Sequence, residues 1–192
     1  ILHGTTISTE ELCEKLSHIP SRKITYILAT NREFISNGKG EYFHANSMDI
    51  SSQELSDIQE MIQKSIIEKQ FMTGTELVEE IGIKYPKVLE RQPQYSEFGI
   101  RDAIGYKLNG LFSFNGNIIS ESDQNLSMSD VYSNYCQKRT QISLDELNNL
   151  KQALNSPIYF DAVYQNTLRI SETNFVSVEQ ANFDVKATSM PI

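Results

Sequence analysis

Ile7-Ser8-Thr9-Glu10-Glu11-Leu12 shows a pattern of residue types that returns twice further along the chain. Met72–Leu77 reads Met-Thr-Gly-Thr-Glu-Leu, and Ile142–Leu147 reads Ile-Ser-Leu-Asp-Glu-Leu. In each copy an apolar residue precedes Ser or Thr, and Glu-Leu follows after two intervening residues. The copies begin at residues 7, 72 and 142, a near-even spacing that indicates tandem modules.

Each copy has the spacing of a helix capping box. In such a box the Ser or Thr and the Glu three residues later each bond the backbone N–H of the other residue. The apolar residue in front suits a hydrophobic staple. A single box is common in helical proteins, so only the repetition is informative. The predicted pairs are Ser8 with Glu11, Thr73 with Glu76, and Ser143 with Glu146.

The first copy continues as helix, turn, helix and β-hairpin, which is the winged-helix pattern. Ser21 is predicted as the N-cap of the second helix, because Ser is favoured there. Ile24, Ile27 and Leu28 form its apolar stripe at helical spacing. The predicted elements are helices from Leu12 to Ser17 and from Ser21 to Asn31, strands at 34–36 and 41–43, and a turn at 37–40.

The second copy is predicted to have a long first helix, a polar insert and a tight hairpin. Pro86 interrupts its second helix, since proline lacks an N–H group. Asn115-Gly116 is a favoured two-residue hairpin turn. The predicted helices are 51–70 (Leu55, Ile58, Ile62, Ile66 and Ile67 at helical spacing), 73–85, and 97–108 (Ile100, Ile104 and Leu108 inward), followed by a hairpin over 111–119.

The third copy is the least regular. After Pro157, the segment Ile158–Tyr164 fits either a short third helix or a strand. Its aromatic run Tyr159–Tyr164 fits a core strand or an exposed docking surface. The other predicted elements are a helix with Val131, Tyr135 and Cys136 inward, a helix from Ser143 with Leu147, Leu150 and Leu154 inward, and a hairpin at 168–170 and 175–177.

These elements predict an α+β chain, mainly α, built of tandem winged-helix-like modules with small β-hairpins. The predicted modules are 1–50, 51–122 and 123–192, the last one degenerate. Each would bury little core alone, so we expect neighbouring modules to pack together.

Composition limits the classes of function. The 192 residues carry a net charge of −8, with a pI near 4.9, which excludes a wholly basic nucleic-acid coat and a polybasic membrane anchor. No apolar stretch approaches the roughly 20 residues that span a bilayer, so no membrane partner is expected. Cys13 and Cys136 predict two small core residues in a reducing cytoplasm. Because the chain begins at Ile1, we expect a piece of a longer protein.

The segment from Leu2 to Ala45 resembles the compact winged helix-turn-helix modules called HARE-HTH. The acidic delta subunit of bacterial RNA polymerase has the same pattern, so a low pI is compatible with this fold. The middle segment, with Thr73–Leu77, Gly99–Ala103 and Phe112–Ile119, is similar to C-terminal parts of large uncharacterised bacterial proteins with helix-turn-helix segments like sigma factor region 4. The resemblance implies a role in transcription.

No catalytic constellation is evident in the sequence. His3, His18 and His44 lack metal-ligand spacing, and no phosphate-binding loop or nucleophile elbow occurs. The clustered glutamates lie where first helical turns are predicted, and there they interact favourably with the helix dipole. We therefore expect no enzyme activity, no catalytic residue, no metal, no cofactor and no small-molecule substrate.

Double-stranded DNA is the expected partner of the first module. This module holds five basic against six acidic residues, whereas the second and third have net charges of −4 and −3. Arg22 and Lys23 begin the predicted recognition helix, whose N-terminal end commonly approaches the major groove, Tyr26 follows one turn later, and Lys39 lies at the hairpin turn. A merely solvated basic surface is the alternative interpretation.

In the second module the candidate contacts are Arg101 and Lys107, although Asp102 beside them would repel phosphate. The sequence thus predicts a non-enzymatic nucleic-acid-binding or transcription-related region of a larger bacterial protein. The alternative is an adaptor that keeps the winged-helix fold, does not contact DNA and binds other protein subunits.

Overall fold

The chain is mainly helical with three small antiparallel sheets, and the computed structural model describes residues 5–178. This mixed α and β composition agrees with the predicted class. The helices are α1 (Thr9–Lys15), α2 (Ser21–Thr30), α3 (Ser52–Lys69), α4 (Gly74–Lys84), α5 (Pro86–Glu90), α6 (Glu97–Lys107), α7 (Met128–Gln137), α8 (Leu144–Leu154) and α9 (Phe160–Asn166), with a 3₁₀ helix at Ala45–Ser47. The strands are β1 (Ile7–Ser8), β2 (Phe34–Gly38), β3 (Glu41–His44), β4 (Met72–Thr73), β5 (Phe112–Asn115), β6 (Ile118–Glu121), β7 (Gln141–Ser143), β8 (Thr167–Arg169) and β9 (Asn174–Ser177).

The chain divides into two compact units between Leu126 and Ser127. The first unit contains α1–α6 and two of the sheets, and the second contains α7–α9 and the third sheet. The predicted boundary at residue 50 lies inside the first unit. The division into three winged-helix modules therefore stays a prediction.

All three sheets have the same strand order. They run β1-β3-β2, β4-β6-β5 and β7-β9-β8, so each places the last strand of a hairpin in the centre. The outer strand on one side comes from the repeated sequence motif. Ile7 pairs with Tyr42, Met72 with Ile119, and Ile142 with Phe175. The apolar residue of the motif is thus a buried strand residue, a role that its fit to a hydrophobic staple did not reveal.

A backbone hydrogen bond also recurs in all three sheets. The first residue of the helix that begins within the motif donates its N–H to the carbonyl just before the central strand. The bonds are Thr9 N to Gly40 O (3.0 Å), Gly74 N to Asn117 O (2.9 Å) and Leu144 N to Thr173 O (2.7 Å). Because the first N–H groups of a helix have no partner within it, each hairpin supplies one from outside.

Two of the three predicted capping boxes form completely, those of Thr73 with Glu76 and Ser143 with Glu146. The first forms only in part. Ser8 Oγ accepts from Glu11 N at 3.1 Å, but the Glu11 carboxylate lies 2.6 Å from Lys15 Nζ. This ion pair one turn further along the helix takes the carboxylate that the box requires.

The first unit has a core that both halves share. Ile35, Phe43 and Met48 from the segment after α2 belong to the same buried cluster as Ile58, Ile62 and Ile66 of α3 and residues of α4 and α6. The Phe43 ring stacks on Tyr95 with 3.9 Å between the centroids. Residues on both sides of the predicted boundary at residue 50 therefore share one core.

One side chain, Asn37, joins the first hairpin (β2–β3) to the start of α6. Its Oδ1 accepts from Ser96 N at 2.6 Å, and its Nδ2 donates to Gln94 O at 3.1 Å. Gly99 in the first turn of α6 lies so close to this hairpin that a Cβ there would be 2.8 Å from Phe43 Cε1. The hairpin therefore covers the N-terminal end of α6.

The second unit is centred on Tyr132 of α7, which is fully buried. Helix α7 packs against α9, and the Tyr132 ring stacks on Tyr159 at 5.8 Å. The sequence placed Tyr135 inward, but this ring is only half-buried and lies 3.6 Å from the Arg139 guanidinium carbon. Burial, together with the neighbouring Tyr159, raises the pKa of Tyr132 to about 12.

Four further local predictions were wrong. Ile67, expected in the apolar stripe of α3, is 75% exposed. Ser21 is the first residue of α2, and Pro20 takes the N-cap position without a side-chain bond. Ile27 is 38% exposed, because Ile24 and Leu28 alone fill the buried side of α2. Asn115 pairs with Ile118, so the second hairpin turns at Gly116-Asn117, with Gly116 at φ +57° as the first loop residue.

The aromatic run Tyr159–Tyr164 does not form a core strand. It enters α9, where Ala162 and Val163 are buried and Tyr159, Phe160 and Tyr164 are exposed. Helical periodicity puts Phe160 and Tyr164 on a different side of α9 from the two small buried residues, whereas Tyr159, just before the helix, stacks on Tyr132. The interpretation as an exposed surface is the one that remains.

Replacing Gly99 by Ala should destabilise the first unit by about 1–3 kcal/mol, because the new Cβ would lie 2.8 Å from the fully buried Phe43 ring and 2.9 Å from Asn37 Oδ1. The control is Gly82→Ala in α4, where a Cβ would meet only Leu89 Cδ1 at 3.4 Å. That change should raise stability by up to about 1 kcal/mol through helix propensity. Urea unfolding measures both, and equal stability of the two variants would contradict the close packing of hairpin and α6.

Three capping carboxylates should make stability depend on pH. Hydrogen bonds from Ser51, Ser127 and Ser143 hold the pKa of Glu54, Asp130 and Glu146, respectively, below the usual range. A depressed folded pKa contributes stability above the unfolded pKa, and this is lost as pH falls through the folded value. The urea midpoint should therefore fall between pH 7 and about pH 3. The triple variant E54Q/D130N/E146Q should show a flatter profile, and an unchanged profile would refute the assignment.

Candidate nucleic-acid interface

Helix α2 presents three of the predicted contact residues. Ile24 and Leu28 face the core and so fix the rotation of the helix. At 3.6 residues per turn, Arg22 and Tyr26 then point away from the core and Lys23 lies to one side. All three are exposed, and the Tyr26 side chain is 67% accessible. The outward position that the sequence predicted for these residues is the one observed.

The fourth predicted contact, Lys39, lies at the tip of the first hairpin. It has φ +51° between Gly38 and Gly40, which also have positive φ. The tip is held in place because both the N–H and the Oγ1 of Thr9 donate to Gly40 O. Lys39 is thus an exposed cation on a fixed turn.

Arg22, Lys23 and Lys39 make no ion pair within residues 5–178. Several other cations of the first unit are neutralised in place: Lys15 by Glu11, Lys69 by Glu76, Lys84 by Glu80, and Arg91 by Asp49 and Glu54. Although the chain is acidic overall, these three positive charges are available to an anionic ligand.

Arg101 and Lys107 lie on a different helix, α6, and in different surroundings. The Arg101 side chain is 14% exposed, and its Nε and Nη2 both lie 2.7 Å from Asp102 Oδ1. Lys107 is partly buried, and this burial lowers its pKa. Arg101 and Lys107 are therefore less available to a ligand than the four residues of α2 and the first hairpin.

A groove in the first unit adds a cation to which the sequence assigned no role. It lies between α2 and β2 on one side and α6 and β5 on the other, with a volume near 630 Å³. Arg32, two residues after the end of α2, is exposed at its rim. The sequence signal that could have indicated Arg32 is a cluster of basic residues: Arg32 is the third one within residues 22–32, after Arg22 and Lys23.

The groups capable of acid–base or metal chemistry are dispersed. No set of three or more His, Cys, Asp or Glu side chains suited to a metal is found in the part of the chain described. His18 is exposed, His44 Nδ1 accepts from Asn46 N, and His3 lies outside the described residues. Likewise, no helix within 5–178 combines the length and apolar character needed to cross a membrane.

No protein-family model matches the chain, and no curated protein gives a significant match to it. The resemblance to winged helix-turn-helix modules therefore depends on the sequence motifs themselves.

The two cysteines should differ sharply in reactivity. Burial raises the pKa of the Cys136 thiol to about 11, whereas Cys13 is partly exposed. Because the thiolate is the reacting form, a disulfide reagent at pH 8 should modify Cys13 in the native chain and Cys136 only after urea unfolding. Single Cys→Ser variants identify each thiol, and rapid native reaction of Cys136 would contradict its burial.

Proposed function

We propose that the chain is a non-enzymatic, nucleic-acid-binding region of a larger, transcription-related protein. Duplex DNA would contact Arg22, Lys23 and Tyr26 of α2 and Lys39 of the first hairpin. The main support for this proposal is that Arg22, Lys23 and Lys39 are exposed and make no ion pair within the described chain. They lie on the helix and the hairpin with which a winged-helix module contacts DNA. The reducing bacterial cytoplasm is the proposed location.

The topology supports this choice of elements. The segment from β1 to β3 has two helices followed by a hairpin, and α2 is the helix directly before that hairpin. In helix-turn-helix proteins the second helix lies in the major groove with its N-terminal residues toward the bases. Arg22 and Lys23 are the second and third residues of α2, where such contacts occur.

The second module offers a poorer surface for the same role. Its corresponding helix, α6, has its N-terminal end covered by the first hairpin through Asn37, and its Arg101 is paired with Asp102. We therefore limit the proposed DNA contact to the first module, and regard Arg101 as an internal charge of the fold.

The number of available cations determines the expected affinity for duplex DNA and its dependence on salt. Three cations on phosphates give a slope of log K against log salt of about −2.7. The remaining surface of the chain is acidic, so affinity should be weak at physiological salt. Fluorescence anisotropy with a labelled duplex of mixed sequence, titrated at several salt concentrations, measures both quantities.

The decisive variant is Arg22→Glu plus Lys23→Glu, which should abolish saturable binding to the duplex. Its matched control is Lys64→Glu plus Lys87→Glu, since these lysines are also exposed and make no ion pair in the described chain. Both double variants change the net charge equally. Loss of binding in both, or no binding by the unmodified chain at low salt, would refute contact through α2.

An adaptor function is the second candidate, and one observation favours it. In the second unit the helix before the last hairpin is α9, whose exposed side chains include Phe160, Asp161 and Tyr164 and no basic residue. This surface suits a protein partner better than phosphate. The adaptor function predicts that R22E/K23E leaves partner binding intact, while Phe160→Ser with Tyr164→Ser abolishes it.

A further inference from the structure

The groove beside α2 has aromatic walls and a polar rim. Phe34, Tyr42, Tyr106 and Phe114 line it, and each is only partly buried, so ring surface faces the open volume. Exposed Ser36, Asn109 and Asn125 also line it. Ring faces with amide and hydroxyl groups around them can stack on a planar base and bond its edges.

The charge of the groove favours an anion. Arg32 is exposed and makes no ion pair or hydrogen bond within the described chain, so its guanidinium is available. Asp102 is the acidic lining residue, and Arg101 already neutralises it through bonds of 2.7 Å. Among the residues that line the groove, the charge left without a partner is therefore positive, in a chain whose net charge is −8.

The groove continues the surface of α2. Ala29, which lines the groove, lies one turn after Tyr26 on the exposed side of the helix, and Arg32 follows the last turn. A strand held by Arg22 and Lys23 at one end of α2 can thus reach the groove at the other end. The helix spans about 15 Å, which is two to three nucleotides of extended strand.

We propose that this groove binds an unpaired nucleotide of a nucleic-acid strand, with its base stacked on the aromatic walls and its phosphate on Arg32. This inference rests on the proposed function, because α2 supplies the neighbouring phosphate contacts. It goes further in naming the substrate: a duplex with an unpaired end or gap, in preference to a continuous duplex.

The test compares a blunt duplex with the same duplex carrying a short thymidine overhang at either the 5′ or the 3′ end. One overhang should bind about tenfold more tightly than the blunt duplex, as expected for a stacked base. Stacking should also quench tyrosine emission, which is readable because the chain has nine Tyr and no Trp. Equal affinity for all three duplexes would overturn the proposal and leave the proposed function standing.

Variants separate the groove from α2. Arg32→Gln changes an exposed side chain without a partner, so the fold is preserved, and it should reduce the overhang preference about threefold. Arg32→Gln with Tyr42→Leu should abolish the preference and keep blunt-duplex affinity within about twofold. The control is Lys87→Gln with Tyr85→Leu, another exposed cation and partly buried ring of the same unit. Preference that survives R32Q/Y42L overturns the proposal.

The two hypotheses fail differently. If R22E/K23E abolishes all binding while R32Q/Y42L removes only the preference, both are supported. If overhang and single strand bind with R22E/K23E but not with R32Q/Y42L, the groove is supported and contact through α2 is refuted. If a free thymidine mononucleotide competes as well as the overhang strand does, the groove holds a free nucleotide, which overturns the proposal of a strand.

Discussion

The pairing between each repeated motif and the last strand of its hairpin is the interaction on which the rest of the structure depends. The last residue of each outer strand is also the N-cap of the helix that follows it. Thr73 pairs with Ile118, caps α4 through Glu76 and is almost completely buried. The next residue, Gly74, donates its N–H to Asn117 O. Hairpin and helix are therefore held at one point, and neither can move without breaking buried hydrogen bonds.

The same device produces three sheets with one strand order but surfaces of different chemistry. In the first module the helix before the hairpin carries Arg22 and Lys23 outward, and in the second unit the corresponding α9 carries Phe160 and Tyr164. Backbone hydrogen bonds hold the three sheets in the same arrangement, whereas the outward side chains of the neighbouring helices can differ between them. Architecture and surface chemistry therefore depend on different residues.

Local chemistry made much of the fold predictable. Capping pairs such as Ser143 and Glu146 lie three residues apart and form within one helical turn, so their signal is complete in the sequence. The buried stripe of α3, Ile58, Ile62 and Ile66, was equally clear from its spacing. The predictions were wrong where two local interactions compete for the same position or the same side chain. Pro20 displaced Ser21 as N-cap, and Lys15 took the Glu11 carboxylate from its box.

The sequence by itself determined the repeated motif, the long helix α3, the three hairpins and the outward position of Arg22, Lys23 and Tyr26, because periodicity and capping act over a few residues. Only the tertiary structure decided that the first hairpin covers the N-terminal end of α6, through Asn37 and Phe43 against residues more than fifty positions away. It likewise decided that Arg101 is paired and that Arg32 borders a groove. Those outcomes depend on packing between distant segments, for which neither periodicity nor spacing carries a signal.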